Sequence, residues 1–138
     1  MKAASVFCAF SIFVGTAPLF SGALNAKDAK QEPQTEAQRL YEAHCASCHQ
    51  YDGGGVPMLQ PELIGRPRAN GAKGGVIDMI LFGSATIAPT ESDYSNEMPA
   101  FSHLTDLEIA LIASYVRTHF ENEGGPVTSN DVRARRTK

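Results

Sequence analysis

Two cysteines with two residues between them, followed at once by a histidine, stand at Cys45, Cys48 and His49 in the stretch HCASCHQ. A cysteine pair at this spacing serves as a redox dithiol, as half of a structural zinc site, or as an anchor for a cofactor. A zinc site takes four ligands, usually from two paired knuckles, and no second knuckle follows. His103 and His119 lie on or beside a helical stretch far from any cysteine. A thioredoxin-like dithiol opens a helix after a strand. Here the pair ends a helical pattern with no strand before it, and neither reading uses His49.

The five residues Cys45-Ala46-Ser47-Cys48-His49 form C-x-x-C-H, the attachment pattern of c-type haem. Two thiols one helical turn apart reach the two vinyl groups of one porphyrin and become thioethers. The next residue then carries its imidazole to one face of the iron. The expected cofactor is a single covalent haem c, with His49 as one axial ligand. The other face is open to Met58, Met79, Met98, His103 or His119. Met58, close to the attachment site, is expected against the ring edge. Met79 falls in a short apolar helix and reads as core, and His119 reads as solvated. His103, in the loop just before the last long helix, is the rival to Met98. Met98 stands in EMPAF, a non-helical segment stiffened by Pro99 and flanked by Phe101, which suits a thioether laid across a haem. Met98 is the expected second metal ligand.

Helices must position these groups. Thr35 opens a helical pattern with Gln38 completing a capping box, and Ala37, Leu40, Tyr41 and His44 share one face as the helix runs into Cys45. A Gly- and Pro-rich stretch follows, too broken for regular structure. The run from Val76 to Phe82, closed by Gly83, predicts a brief helix. After a second irregular stretch, LTDLEIALIASYVRTHF is the clearest helix, capped by Thr105 and Glu108, with Gly124 just beyond its end. Its apolar stripe is Ile109, Ile112, Ala113, Val116 and Phe120. No strand of useful length and no repeat is present, so the fold class is all-α.

The chain has 138 residues, three cysteines and a formal net charge of -3. Residues 1–26 read as a secretory signal peptide, with a basic Lys2, an apolar run and a small-residue exit that permits cleavage after Ala23 or Ala26. Cys8 lies inside that run as a passive apolar residue. An uncleaved anchor is the alternative, since the run is close to the roughly 20 residues that span a bilayer. Only in that case is the membrane a partner. Residues 27–34 read as a linker, 35–124 as the domain, and 125–138 as a polar, basic tail expected to be solvated beyond one helical turn near Ser129. No basic patch carries interleaved aromatics, which argues against nucleic acid.

Together these features resemble a class I cytochrome c across nearly all of the chain after the leader. Ala37, Tyr41 and Cys45 match the order small residue, aromatic, haem motif in the family's first helix. Pro61, Leu63 and Gly65 match its Pro-x-Leu-x-Gly segment. The resemblance implies the class I fold, with first and last helices crossing, a short middle helix and long loops around one haem. It also implies that the Pro61 carbonyl accepts the ring N–H of His49, that Leu63 lies at the cofactor, and that Tyr115 crosses near Ala37. The segments GGGVPMLQPELIG and VIDMILFG, and the C-terminal run from MPAF onward, are similar to cytochrome subunits and domains serving periplasmic quinoprotein alcohol and sugar dehydrogenases. There are departures: Phe120-Glu121-Asn122 replaces an aromatic-Gly-Asn turn, and one haem motif is present where membrane-bound dehydrogenase subunits carry more.

With His49 and Met98 both bound, no iron position is left for substrate. The expected function is therefore a periplasmic one-electron carrier, an electron-transfer protein and not an enzyme. It would take electrons from a dehydrogenase and pass them to a cytochrome or terminal oxidase of the respiratory chain. The alternatives are a non-diffusing subunit of a dehydrogenase complex, and a haem enzyme or gas sensor with an exchangeable sixth ligand. Leu40, Leu63, Ile64, Val76, Ile80, Leu81 and Phe101 are the expected apolar lining. Arg66, Arg68, Asn70 and Lys73 are candidates to bind a propionate or a partner.

Overall fold

The computed structural model describes residues 34–87 and 93–137. In order these form α1 (Glu36–His44), α2 (Ala46–His49), α3 (Pro67–Asn70), α4 (Lys73–Phe82), α5 (Ser84–Ile87), α6 (Asp106–Thr118) and α7 (Ser129–Arg136). Among the described residues the only β pairing is an isolated bridge between Val56 and Gln60, so the all-α class stands. The expected leader, and most of the expected linker, lie outside the described residues.

Helix α1 starts where the Thr35 hydroxyl accepts from the Gln38 amide at 3.2 Å. The reciprocal half of the expected box is absent. Gln38 instead donates to Glu42 at 3.1 Å, because a neighbour four residues on lies on the same helix face. Helix α6 has both halves of its box, between Thr105 and Glu108. The two helices pack together, and Tyr41, fully buried, meets Tyr115 with ring centroids 5.1 Å apart. Phe120 closes the cluster at 5.2 Å from Tyr41.

Helix α4 buries Val76, Ile77, Ile80 and Leu81 against its neighbours α3, α5, α6 and α7. It stops at Gly83, whose φ of 75° suits a residue without Cβ. A Cβ there would also stand 2.6 Å from the Met98 carbonyl, so the end of α4 and the Met98 segment approach as closely as glycine allows.

Two expectations fail at the C-terminal end. Helix α6 stops at Thr118 with His119 as its cap, well before Gly124, and Phe120 and Glu121 then both take left-handed φ values of 55° and 59°. Gly124 serves a different need, since a Cβ there would collide with the Ala69 carbonyl and Arg117. Nor is the segment 125–138 a solvated tail. Thr128 and Asp131 cap α7 reciprocally, and Val132 on its inner face is fully buried. That burial stabilises the docked helix by about 2 kcal/mol. The basic residues are taken up internally. Arg135 forks onto Asp78 of α4, and Arg136 binds Asp106 at 2.7 Å together with the carbonyls of Ser102 and Leu104. Lys73 pairs with Asp131 at 3.0 Å.

Candidate functional site

Helix α1 delivers the cysteine motif. The Cys45 amide closes its last turn on the Tyr41 carbonyl, and α2 then makes one further turn in which Cys48 and His49 both donate to the Cys45 carbonyl, at 3.1 and 2.9 Å. The Tyr41 hydroxyl reaches past the motif to the Gln50 carbonyl at 2.6 Å, so the cysteine turn is fastened at both ends by one buried ring. Burial and that setting raise the Tyr41 pKa, keeping the hydroxyl a donor.

His49 is buried, with Nδ1 2.9 Å from the Pro61 carbonyl oxygen. Desolvation lowers its pKa against the opposing pull of that carbonyl, which favours the neutral ring. A neutral ring that donates through Nδ1 leaves Nε2 with a free lone pair, the form a metal ligand needs. Pro61 is itself held in place. The Leu63 amide donates to the Gly53 carbonyl at 2.7 Å, and Asn122 donates to the Leu63 carbonyl at 2.9 Å. Gly53 is obligatory here: its φ is 73°, and a Cβ would stand 2.6 Å from the Phe120 ring.

Cys45, His49, Pro61, Leu63, Val76, Met79, Met98 and Val116 wall a cavity of about 310 Å³, mostly apolar, with Arg66 and Arg68 at its polar side. A narrower cleft of about 120 Å³ adds Cys48, Phe101 and Gln60 and shares Cys45, His49, Pro61, Asn96 and Met98 with the first. The structure thus brings Cys45, His49, Pro61, Leu63 and Met98 to one cavity, and sets Cys48 on the adjoining cleft.

The rival ligands separate. Met58 does not pack inward; it is 73 % exposed, because Gly55 and the Val56–Gln60 bridge turn the loop tip outward. His103 is exposed and touches Phe101. His119 stacks on Tyr115 at 4.0 Å, with Nδ1 at 3.0 Å from the Tyr115 carbonyl. Met79 departs from the expected core role and faces the cavity, as does Met98. Of the expected lining, Leu63 and Val76 face the larger cavity and Phe101 the cleft, whereas Ile80 and Leu81 are in the core behind it, and Leu40 and Ile64 line neither. Asn70 and Lys73 are engaged elsewhere, Asn70 with Asn122 at 2.9 Å and Lys73 with Asp131.

Residues that sequence reasoning passed over do the positioning. Ser84 accepts from the Met98 amide at 2.8 Å through its hydroxyl and donates its own amide to the Met98 carbonyl at 3.0 Å. Buried Asn122 donates to the carbonyls of Leu63 and Val116 and accepts from Asn70. Buried Arg117 draws in the carbonyls of Ala69, Gly71, Gly124 and Gly125. The one available signal was Asn122, in the turn already singled out as a departure from the aromatic-Gly-Asn pattern.

The cysteine pair does not suit thiol redox chemistry. Burial, then the neighbouring Cys48, pushes the Cys45 thiol up to about 12, whereas a reactive dithiol needs a lowered value. No group of three or more His, Cys, Asp or Glu side chains among the described residues converges on a metal-sized point. The same residues do fit a covalently attached porphyrin. Both thiols line the cleft, a neutral imidazole and a thioether share the cavity, and the walls are mostly apolar. At the polar side, Arg66 Nε is buried with no hydrogen-bond partner, a donor left for an acidic group at that position.

A family model described as cytochrome c matches residues 34–120. The chain is 37 % identical over 107 residues to the fructose dehydrogenase cytochrome subunit of Gluconobacter japonicus, covering 72 % of this chain and 21 % of that protein. It is 33 % identical over 102 residues to the cytochrome c subunit of the quinone-dependent alcohol dehydrogenase of Gluconobacter oxydans, covering 71 % and 21 %. It is 30 % identical over 115 residues to cytochrome c-552 of Thermus thermophilus, covering 76 % of this chain and 87 % of the relative. The chain therefore spans about a fifth of the length of the two dehydrogenase subunits and most of the small cytochrome.

Proposed function

This chain belongs to the cytochrome c family, and on that premise we propose that it is a periplasmic one-electron carrier whose haem iron is bound by His49 and Met98. Family membership brings covalently bound haem c and electron transport; ligation, compartment and partners are the reading offered here. When bound, the haem supplies a ferric/ferrous couple. Cys45 and Cys48 hold it by thioether bonds. His49, oriented by Pro61, offers Nε2, and Met98, held by Ser84, offers its sulfur from a segment stiffened by Pro99. Leu63, Val76, Met79 and Val116 exclude water, and Arg66 and Arg68 meet the propionates. The observation that carries the reading is the convergence of His49, Met98 and Cys45 on one apolar cavity.

With His49 and Met98 both bound, the iron would have no position left for a substrate, which favours a carrier over a haem enzyme or gas sensor. The cleft beside Cys48 would give the electron its way out. A cytochrome or terminal oxidase is the acceptor proposed here, and the relatives' names support a dehydrogenase as donor. They equally support a second reading, a subunit that stays bound to its dehydrogenase. Among the described residues no helix is long and apolar enough to cross a membrane, and export rests on the leader sequence.

The test is fractionation and redox titration of the native protein. The carrier reading expects a red periplasmic protein, eluting alone on size exclusion, with a one-electron Nernst slope. Co-elution with a dehydrogenase supports the bound-subunit reading instead. A colourless product from a host competent in haem attachment would overturn both.

A further inference from the structure

The loop after the cysteine motif turns an apolar tip to solvent. Tyr51, Met58 and Leu59 are 71 %, 73 % and 43 % exposed, with exposed Pro57 beside them. The tip is held rigidly. Met58 has φ of 65°, a left-handed conformation that costs a side-chain-bearing residue about 1–2 kcal/mol. Strain of this kind persists where the surroundings over-determine it. Here Ser95 donates to the Met58 carbonyl through both its amide and its hydroxyl, at 3.0 and 3.2 Å, and the Asn96 amide donates to the Leu59 carbonyl at 3.2 Å. Those bonds also set the tip against the mouth of the site, because Gln60 and Asn96 wall the cleft onto which Cys48 opens.

The rim of this tip is acidic. Asp52, Glu62, Asp93 and Glu97 are all exposed around it. Glu62 and Asp93 wall a groove of about 330 Å³ with Pro57, Met58 and Arg66, and Glu97 walls the cleft itself. Arg66, the one arginine or lysine lining these two openings among the described residues, is already paired with Glu62 at 2.9 Å. Of the other cations, Lys73, Arg133, Arg135 and Arg136 pair with Asp131, Asp106 and Asp78, and Arg68 lines the larger cavity. An apolar centre with a single-sign rim suits a partner of matching shape and opposite charge, which speeds encounter more than it tightens binding.

We propose that the Met58–Leu59 tip and its carboxylate rim are the docking face for a redox protein that presents an apolar contact ringed by lysine or arginine. This rests on the electron-carrier reading. The test uses the haem-loaded protein, oxidised at low ionic strength by cationic cobalt(III) tris(phenanthroline) and, in parallel, by anionic hexacyanoferrate(III). The cationic rate should fall as salt rises, and the anionic rate should not. The triple variant Asp52→Asn, Asp93→Asn, Glu97→Gln, which leaves the Arg66–Glu62 pair intact, should slow the cationic reaction about three- to tenfold. A control with the same charge change elsewhere, Glu36→Gln, Glu42→Gln, Glu123→Gln, should slow it far less. Met58→Ser with Leu59→Ser should slow the aromatic cobalt reagent with its salt dependence unchanged.

Paramagnetic broadening by chromium(III) tris(ethylenediamine), which exchanges no electron, reads the surface independently of carrier activity. It should concentrate on residues 52–62 and 93–97. Equal effects of the rim and control variants, or broadening spread evenly over the surface, would overturn the docking face while leaving the carrier reading intact. Failure to exchange electrons with either reagent, with the broadening localised as expected, would sink the carrier reading and keep the cation-binding face.

Discussion

Ser84 holds the backbone of Met98 on both sides, its hydroxyl accepting the Met98 amide at 2.8 Å and its amide donating to the Met98 carbonyl at 3.0 Å. The sulfur's reach is therefore set from the first turn beyond α4 and not by Pro99 alone. Ser84→Ala removes the first bond and leaves the second. The expected cost is about 1 kcal/mol in stability. More tellingly, cyanide should displace the sixth ligand faster in the ferric variant than in the wild type. Equal displacement rates would show that Ser84 does not position Met98.

Asn122 links three segments, so its loss strands several groups at once. Asn122→Ala leaves the carbonyls of Leu63 and Val116, and the side chain of Asn70, without this partner. A loss of about 2–4 kcal/mol in denaturant unfolding is expected. Because Leu63 stands two residues from the carbonyl that orients His49, the reduction potential should shift as well. A fully stable variant would contradict the role given to this turn.

Glu121 sits at φ 59°, a left-handed conformation that favours glycine. Glu121→Gly relieves about 1–2 kcal/mol of left-handed strain and gives back up to about 1 kcal/mol in backbone entropy. Thermal unfolding should show a melting point unchanged or raised by a few degrees, with the haem spectrum untouched. A clear fall would mean that the Glu121 side chain makes a contact outweighing the strain.

Acid should release α7 late. The Thr128 backbone amide first, then Lys73, lowers the Asp131 carboxyl to about 2, and Arg136 holds Asp106 below its ordinary range. Both carboxyls are depressed on folding, so their contribution is complete above the ordinary aspartate range and is lost as pH falls through the lowered values. The Val132 methyl resonances should keep their docked shifts down through the ordinary range of about pH 4 and lose them on approach to about pH 2. Release already near pH 4 would contradict the clasp in the wild type.

The helices and the cysteine site were legible because their signals are local. The box of Thr105 and Glu108, the apolar run from Val76 to Phe82 and the spacing of Cys45, Cys48 and His49 each lie within a few residues. What escaped was decided across the chain. α7 looked like a tail because its burial hangs on Val132 and on acids far away at Asp78 and Asp106. Met79 read as core because the run that contains it is apolar all round, so periodicity gives it no face. Met58 read as inward from proximity in sequence, whereas two left-handed turns carry it out. Ser84 carries no motif at all.

The central claim is that the sulfur of Met98, and not that of Met79, occupies the second axial position. Both face the cavity, so the thioether-to-iron charge-transfer band of the ferric protein separates them. The band should be present in the wild type and in Met79→Leu, and absent in Met98→Ala, whose ferrous form should then bind carbon monoxide. A band that survives in Met98→Ala, or a wild type that is high-spin and binds carbon monoxide freely, would contradict the account.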